Sequence, residues 1–411
     1  MAASNPTTTS WGRLVREAVD LYALTCALVL TGIALGLVFG SGRQLSPNRA
    51  PQSGVELLDV ALQWDGQWYH QIVLSGYSYH PQRMSAVAFF PLYPLLARAL
   101  AAVTGLRAEL ALLAVSHAFL IATFVLLMAY VQQRFPGEGP QRARLAALSL
   151  AVFPMAFFMT MAYTESLFLF LCLAALYAIE RRAPPLAVAA VIALATATRA
   201  AGVALLVPLA MHVWDQRSSA RQAAASLLYL VPVACLGLLA YMLYQFQQFG
   251  TPLAFAQTQD NWRMVPRVGL GEHLMILTSF EPIWSAYLSD GPAYWGNVES
   301  GASRWLSLQF ANPIFFVAAA GLIYVGGLRR WLSKHEAVLA AAILAISYAT
   351  RGYEMAMASQ ARYAASAFPL YLVLGTLLMR SPRGVRWAWL ALSIIYLVIY
   401  SATWTAGYLV I

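Results

Sequence analysis

The chain has 411 residues, of which 60% are hydrophobic and only 10% charged, against about 25% charged in an ordinary soluble domain. So few charges cannot cover a soluble surface, which excludes a soluble enzyme and a disordered chain and makes the bilayer one of the solvents. The formal charge of +9 sits on arginines placed singly or in pairs between apolar runs, which builds no continuous face for nucleic acid and reads instead as a marker of membrane sidedness. Cys26, Cys172 and Cys235 all fall inside apolar runs and support neither a disulfide framework nor a zinc site.

A spanning helix needs about 20 largely apolar residues. In chain order the runs are Leu21 to Phe39, directly after Arg13 and Arg16, then Leu110 to Val131, Leu145 to Ala162, Tyr163 to Ile179, Pro185 to Thr198, Val203 to Trp214, Ala223 to Phe246, Leu308 to Leu328, Ala337 to Tyr348, Ala364 to Met379 and Trp387 to Leu409. They predict an all-α polytopic membrane protein of about 11 transmembrane helices. The first run is too long for a cleaved signal core and reads as an uncleaved span. Between the first two runs, Phe89 to Val103 is apolar but short, is broken by Pro91 and Pro94, and carries Arg98. Laid in the interface as an amphipathic juxtamembrane helix, it brings Arg134/Arg142/Arg144, Arg181/Arg182, Arg217/Arg221, Arg329/Arg330/Lys334 and Arg380/Arg383/Arg386 to the side of Arg13 and Arg16, as the positive-inside rule asks.

On that topology the N-terminus is cytoplasmic, the C-terminus is outside, and the two long loops, 40–108 and 247–306, face outward. The chain divides into a cytoplasmic tail over 1–19, whose first ten residues read as disordered, a membrane module over 20–248 that includes the outer loop 40–108, a second outer loop over 249–306, and C-terminal membrane helices over 307–411. Trp, Tyr, Gly and Pro concentrate in the two outer loops, so chemistry is expected at that face.

The first loop contains Leu57 to His80. Written on a helix, Asp65 shares a face with Leu58, Leu62, Trp68, Tyr69 and Ile72, an odd place for a carboxylate unless it works as a general base; capping a helix or bonding the Gly66 turn accounts for it equally well. The aromatic and proline-rich stretch Ala86 to Leu100 suits a platform at headgroup depth, with membrane anchoring as the plainer role of any single ring. Glu165 follows Thr164 at the outer end of a run, where cap and dipole partner compete with a hook for a sugar hydroxyl or a partner for an arginine. Arg199 stands where two short runs meet at Arg199-Ala200-Ala201-Gly202; an intramembrane arginine is expensive, and phosphate binding is the leading reading. Arg362 and Tyr363 open a run from the outer side and read either as a phosphate clamp or as snorkelling anchors. Gly250 to Trp262 mixes amides, Asp260 and aromatics as sugar sites do. His70 and His80 with Asp65 match no familiar metal spacing, so no metal is expected. The absence of a phosphate-cradling glycine loop, a Walker sequence and a nucleophile elbow argues against ATP-driven transport and serine hydrolysis.

Taken together, WDGQWYHQIVLSGY (Trp64 to Tyr77), AFFPLYPLL (Ala88 to Leu96), YTESLF (Tyr163 to Phe168), TRAAGV around Arg199, GTPLAFAQ (Gly250 to Gln257) and RYAASAFPLYL (Arg362 to Leu372) resemble, in order and over most of the chain, the PIG-V-like mannosyltransferases within the GT-C class of membrane glycosyltransferases. The resemblance implies a GT-C-type arrangement, with Asp65 as the catalytic residue in the first outer loop. It also implies an inverting transfer of a sugar, usually mannose, from a polyprenyl-phosphate-linked donor, without a nucleotide sugar. One departure is that the family commonly reads RSNG where this chain has Arg199-Ala200-Ala201-Gly202, which removes polar contacts beside Arg199.

On this reading Arg199, Arg362 and Tyr363 bind the donor phosphate, and Trp64, Gly66, Trp68, Tyr69, Glu165, Gln257 and Trp262 position sugar or acceptor. Phe90, Pro91 and Tyr93 line the path of the lipid tail. The expected partners are membrane lipids, the lipid-linked donor and a lipid or glycan acceptor, with no nucleic acid and a monomer sufficing. The competing class is a transporter or flippase of a lipid-linked sugar, for which no internal repeat is visible; a GT-C enzyme for another sugar or a protein acceptor is the nearer rival.

Overall fold

A computed structural model of the chain describes residues 11–39, 55–298 and 303–407. The first ten residues, expected to be disordered, residues 40–54 of the first long loop, 299–302 of the second and the chain end beyond 407 lie outside the described residues. Within them every regular element is helical. Helix α1 spans Trp11–Phe39; α2 (Glu56–Ala61) and α3 (Asp65–Ser75) fold the first long loop; α4 spans Leu92–Thr104, α5 Ala108–Arg134, α6 Gly139–Ala151, α7 Glu165–Glu180, α8 Pro185–Thr198, α9 Leu206–Gln216, α10 Ala220–Ala234 and α11 Leu236–Phe249. The second long loop contains the short helices α12 (Ala254–Gln257), α13 (Leu270–Thr278), α14 (Glu281–Trp284) and α15 (Trp295–Val298). Then come α16 (Leu308–Leu328), α17 (Lys334–Ser347), α18 (Gln360–Ala365), α19 (Pro369–Arg380) and α20 (Arg383–Thr405).

Four of these, α1, α5, α16 and α20, are long and apolar enough to cross a membrane alone, and α10 with α11 makes a fifth candidate bent by 52°. Large apolar side chains stand at helix surfaces, among them Leu228, Tyr324, Leu328 and Leu392, as hydrocarbon contact demands and water would not tolerate. The protein is an integral membrane protein. Helix length among the described residues does not confirm the count of about 11 spans; several helices are short, and prolines or an early break cut some apolar runs that look continuous in the sequence. The run from Leu145 stops as helix at Ala151, short of Pro154, and continues as a 3-10 turn over Ala156–Thr160. The run from Ala364 breaks before Pro369, that from Val203 opens as a 3-10 segment over Ala200–Leu205, and Pro232 lies just before the α10–α11 bend. Proline has no N–H for the helix ladder and crowds the preceding turn.

The short segment before α5 is helical from Leu92, immediately after Pro91. Its Arg98 donates from Nε to the Val73 carbonyl at 3.0 Å and from Nη2 to the Ile72 carbonyl at 2.5 Å. An arginine that stood out within an apolar segment thus closes the C-terminal end of α3.

The bundle is ordered by pairs: α1 against α20, α6 between α5 and α19, α7 between α5 and α8, α8 against α10 and α11, and α16 against α17, α18 and α19. One end of it collects basic residues. Arg134, closing α5, lies 3.5 Å from Glu336 at the start of α17; Arg134 and Arg142 both lie over the Phe135 ring; Arg380 lies over Trp331, and Lys334 pairs with Asp215 at 2.8 Å. The other end of α5 abuts the first long loop.

Where α1 meets α20 the backbones nearly touch at Gly32 and Gly36. A Cβ at Gly32 would run into Ser401 and the Val398 carbonyl, and one at Gly36 into Ala402 and Thr405. Small residues four apart let membrane helices approach this closely. Gly36→Leu is expected to cost about 1–3 kcal/mol by overpacking, read as a lower melting temperature of the detergent-purified protein; Gly12→Leu, which meets open space, serves as the neutral control.

Candidate active site

The chain turns sharply between α2 and α3. Trp64 there adopts φ 54°, a left-handed conformation that a bulky residue takes only under constraint. Tyr163 supplies that constraint from the far side: its hydroxyl accepts the Asp65 backbone N–H at 3.2 Å and donates to the Gln63 carbonyl at 2.8 Å. The ring packs in turn on Phe158 and Trp404, and the Trp404 indole N–H donates to the Val60 carbonyl at 3.2 Å. Asp65 is therefore the first residue of α3, delivered by a turn pinned on both sides.

Its carboxylate caps nothing. Oδ2 lies 2.8 Å from Nη1 of Arg362, and the side chain as a whole is 27% exposed. Arg362 is buried, with its Nε bonded to Oε1 of Glu165 and its guanidinium over the rings of Tyr163 at 4.6 Å and Phe158 at 5.1 Å. Glu165, 1% exposed, gives the same Oε1 to Nη1 of Arg199 at 2.8 Å. Asp65, Arg362, Glu165 and Arg199 thus form one alternating chain of charge, drawn from the first loop, the head of α18, the head of α7 and the break after α8. Thr164 makes no cap bond at α7, so Glu165 sits there as the shared partner of two guanidiniums.

Arg199 has extended backbone dihedrals at the end of α8, and the following 3-10 turn packs so tightly on α8 that a Cβ at Gly202 would meet the backbone of Ala195 and Thr196. That close approach explains why two short helices meet here. The Arg199 guanidinium stays 15% exposed and lies over Phe168 and Tyr363.

An aromatic ridge stands beside Asp65. Trp68 stacks on Phe89, and Trp262 meets both edge-on at centroid distances of 5.9 and 6.1 Å. Trp262 arrives on the second long loop, which is docked by Asn261 onto the carbonyls of Pro81 and Arg83 and by Arg263 onto Glu354 at 2.8 Å. Tyr69 is buried against Phe89 and Tyr93, and burial followed by the nearby Asp65 charge pushes its ionisation up.

Several expected residues take other places. Gly66 is packed under the turn against Ala61 and Ala162. Gln257 is exposed and accepts from the Tyr79 hydroxyl at 2.8 Å, a bond inside the loops. Tyr93 is wholly buried, with its hydroxyl donating to the Leu112 carbonyl at 2.9 Å, and Phe90 is buried against Tyr241 and Phe255. Neither ring offers a face to a lipid tail; of that trio only Pro91 is partly exposed. An apolar cleft of about 300 Å³ lies instead between α16 and α20, lined by Phe315, Trp389, Leu392 and Tyr396 with Phe153 among its walls. Tyr163, Phe158, Trp404 and Phe89 belong to the site and were not singled out in the sequence; Tyr163 had a signal, its place directly ahead of Thr164 and Glu165. Among the described residues no group of three or more His, Cys, Asp or Glu side chains is arranged to hold a metal ion.

No protein-family model matches the chain and no curated protein matches it. Among solved structures, the Archaeoglobus fulgidus oligosaccharyltransferase in the apo form aligns over 94% of this chain and 56% of its own, at 13% identity and a TM-score of 0.43. Archaeal oligosaccharyltransferase AglB from the same organism, in complex with an inhibitory peptide and a dolichol-phosphate, aligns over 94% and 56%, at 14% identity and 0.43. The chain spans little more than half the length of these proteins.

Two measurements probe the electrostatics. Replacing Glu165 with Gln removes the carboxylate that holds Arg199 and one of the two that hold Arg362, and removing one member of a buried ion pair typically costs about 3–5 kcal/mol; the melting temperature in detergent should fall accordingly, and an unchanged value would mean that the pairs contribute nothing. His70, on α3, lies 3.5 Å from Glu109, and burial, only partly offset by that carboxylate, holds its ionisation below the ordinary value of 6.5. An unfolded chain then takes up the proton first, so this contribution to stability is present above pH 6.5 and is lost as pH falls toward the folded-state value. The melting temperature should therefore drop below pH 6.5, with a shallower slope in His70→Gln.

Proposed function

We propose that the protein is an inverting membrane glycosyltransferase that moves a sugar from a polyprenyl-phosphate donor to a lipid or glycan acceptor on the extracytoplasmic face. The observation that carries this reading is the linked set Asp65, Arg362, Glu165 and Arg199 beside the Trp68–Trp262 ridge: a partly exposed carboxylate, a partly exposed guanidinium and aromatic faces meeting in an integral membrane protein. The gathering of basic residues at the opposite end of the bundle supports the assignment of sides. Resemblance of the site motifs to the PIG-V-like mannosyltransferases of the GT-C class supports mannose as the sugar.

Asp65 removes the proton from the acceptor hydroxyl as that oxygen bonds to the anomeric carbon. The bond from that carbon to the phosphate oxygen breaks on the opposite face, and the phosphate leaves with the electron pair, inverting the configuration. A phosphate leaves without the general acid that ordinary glycoside hydrolysis requires. Arg199, more exposed than Arg362 and held by one carboxylate, stabilises the departing phosphate with Tyr363 beside it. Arg362, already held by two carboxylates, orients the base. Trp68 and Trp262 supply faces on which a sugar ring stacks, and with a lipid-borne phosphate as leaving group the donor carries no nucleotide; the transfer is proposed to run without a resident metal.

The test is transfer by the purified protein from synthetic polyprenyl-phosphate-mannose to a panel of lipid and peptide acceptors. Activity that survives EDTA and falls about 10²–10⁴-fold in Asp65→Asn is the expected result. Near-normal turnover in that variant would overturn the assignment of the base, and movement of lipid-linked sugar across liposomes without transfer would overturn the reaction class.

A further inference from the structure

Three amide side chains that take no part in this chemistry are wholly buried around the head of α18: Gln309 and Asn312 on α16, and Gln360. The segment leading into α18 passes through Ala356, Met357 and Ser359 at φ 48°, 62° and 65°, none of them glycine. Such conformations are sparsely populated by residues other than glycine and persist only where their surroundings impose them. Ser359 occupies the cap position of α18 yet gives no side-chain cap bond.

Asn312 acts as the cap from another helix: its Oδ1 accepts the Ala361 N–H at 3.0 Å. Its Nδ2 donates to Oε1 of Gln309 at 3.3 Å, and Nε2 of Gln309 donates to the Ala356 carbonyl. Gln360 fastens the same segment to the end of α17, accepting from the Ser347 hydroxyl at 3.0 Å and donating to the Ser347 carbonyl at 3.1 Å. A backbone N–H at Ala361 can only donate and a carbonyl at Ala356 can only accept, so the two amides between them have one consistent orientation. The residue after Ala361 is Arg362.

We propose that Asn312 and Gln309 are positioning residues of the active site. Through Ala361 and Ala356 they set the register of the strained segment, and thereby hold Arg362 where it meets both Glu165 and Asp65. The proposal rests on the reading of Asp65 as the base that Arg362 orients.

The test uses the full-length detergent-purified protein in the transfer assay, with hydrogen exchange as a second readout. Asn312→Ala is expected to lower kcat about 10–100-fold, with the donor KM changed no more than about 3-fold, because a small misplacement of the catalytic group affects turnover more than binding. Burial raises the ionisation of a carboxyl group at this position; protonated, it accepts from Ala361 while donating to Gln309, and ionised, it loses the donor and repels the Gln309 oxygen. Activity of Asn312→Asp relative to wild type should therefore rise as pH is lowered from about 8 to 6, whereas the ratio for Asn312→Ala stays flat. If Asn312→Ala does not fold, the pH dependence of Asn312→Asp decides, and a flat ratio overturns the proposal.

Backbone exchange in Asn312→Ala should speed up over residues 356–365 and also over 60–70, where Asp65 loses its partner. Should the wild type transfer no sugar, the functional reading falls and exchange alone judges the positioning: faster exchange at both segments upholds it, and faster exchange at 356–365 only overturns it. A lower melting temperature with unchanged kcat also overturns it.

Discussion

Arg362 brings a full positive charge into a site where its side chain is 4% exposed, and a charge so placed is tolerated only where opposite charges and aromatic faces replace its water. Asp65 and Glu165 pair with it, and the adjacent rings of Tyr163 and Phe158 lie against it. These contacts come from the first long loop, from the head of α7 and from the turn before it. The guanidinium therefore fixes where three separately folded pieces of the chain must lie. Glu165 extends the constraint by sharing an oxygen with Arg199, so the break after α8 is held to the same point.

Backbone strain collects at the two places that deliver this pair. Trp64 immediately precedes Asp65, and Ser359, with Ala356 and Met357, precedes Arg362. In each case a buried side chain from a distant part of the chain holds the strained stretch: Tyr163, in the turn ahead of α7, for the first, and Asn312 and Gln309 of α16 for the second. A loop free to choose its conformation would relax such angles. Tethering from the packed core makes the position of the charged group a property of that packing, which is far stiffer than a free loop.

Much of this was legible in the sequence, and the reasons differ by residue. Asp65, Glu165, Arg199 and Arg362 stood out because ionisable side chains at the edges of apolar runs need a reason to be there, and these four do meet. Helix α8 matched its apolar run residue for residue, since Pro185 starts it and Arg199 ends it. Other runs misled, because hydrophobic content alone does not reveal that Pro154 or Pro369 interrupts a helix within an apolar stretch. Tyr93 and Phe90 read as lipid-facing because an aromatic looks the same whether it faces lipid or a protein core; only the hydroxyl bond of Tyr93 to Leu112 identifies it as core. The amides of α16 passed unnoticed for a similar reason: a buried hydrogen-bond network depends on partners distant in sequence, and no local pattern announces it.

The balance of charge in the linked set bears on how the proposed reaction would be accelerated. Two carboxylates and two guanidiniums leave the resting set formally neutral, so it holds no strong excess attraction for an anionic donor. When the acceptor proton reaches Asp65, one negative charge disappears and the set becomes net positive. On the other side of the reacting carbon the departing phosphate gains a negative charge in the same step. Stabilisation thus grows as the reaction proceeds and is weak before it begins, which is the condition for raising turnover rather than only tightening binding. Low exposure makes the effect larger, because little water is present to screen the new charge from the phosphate. Arg362 cannot follow the leaving group, being held by Glu165 as well, and that fixed geometry spares the reorganisation that a mobile cation would need.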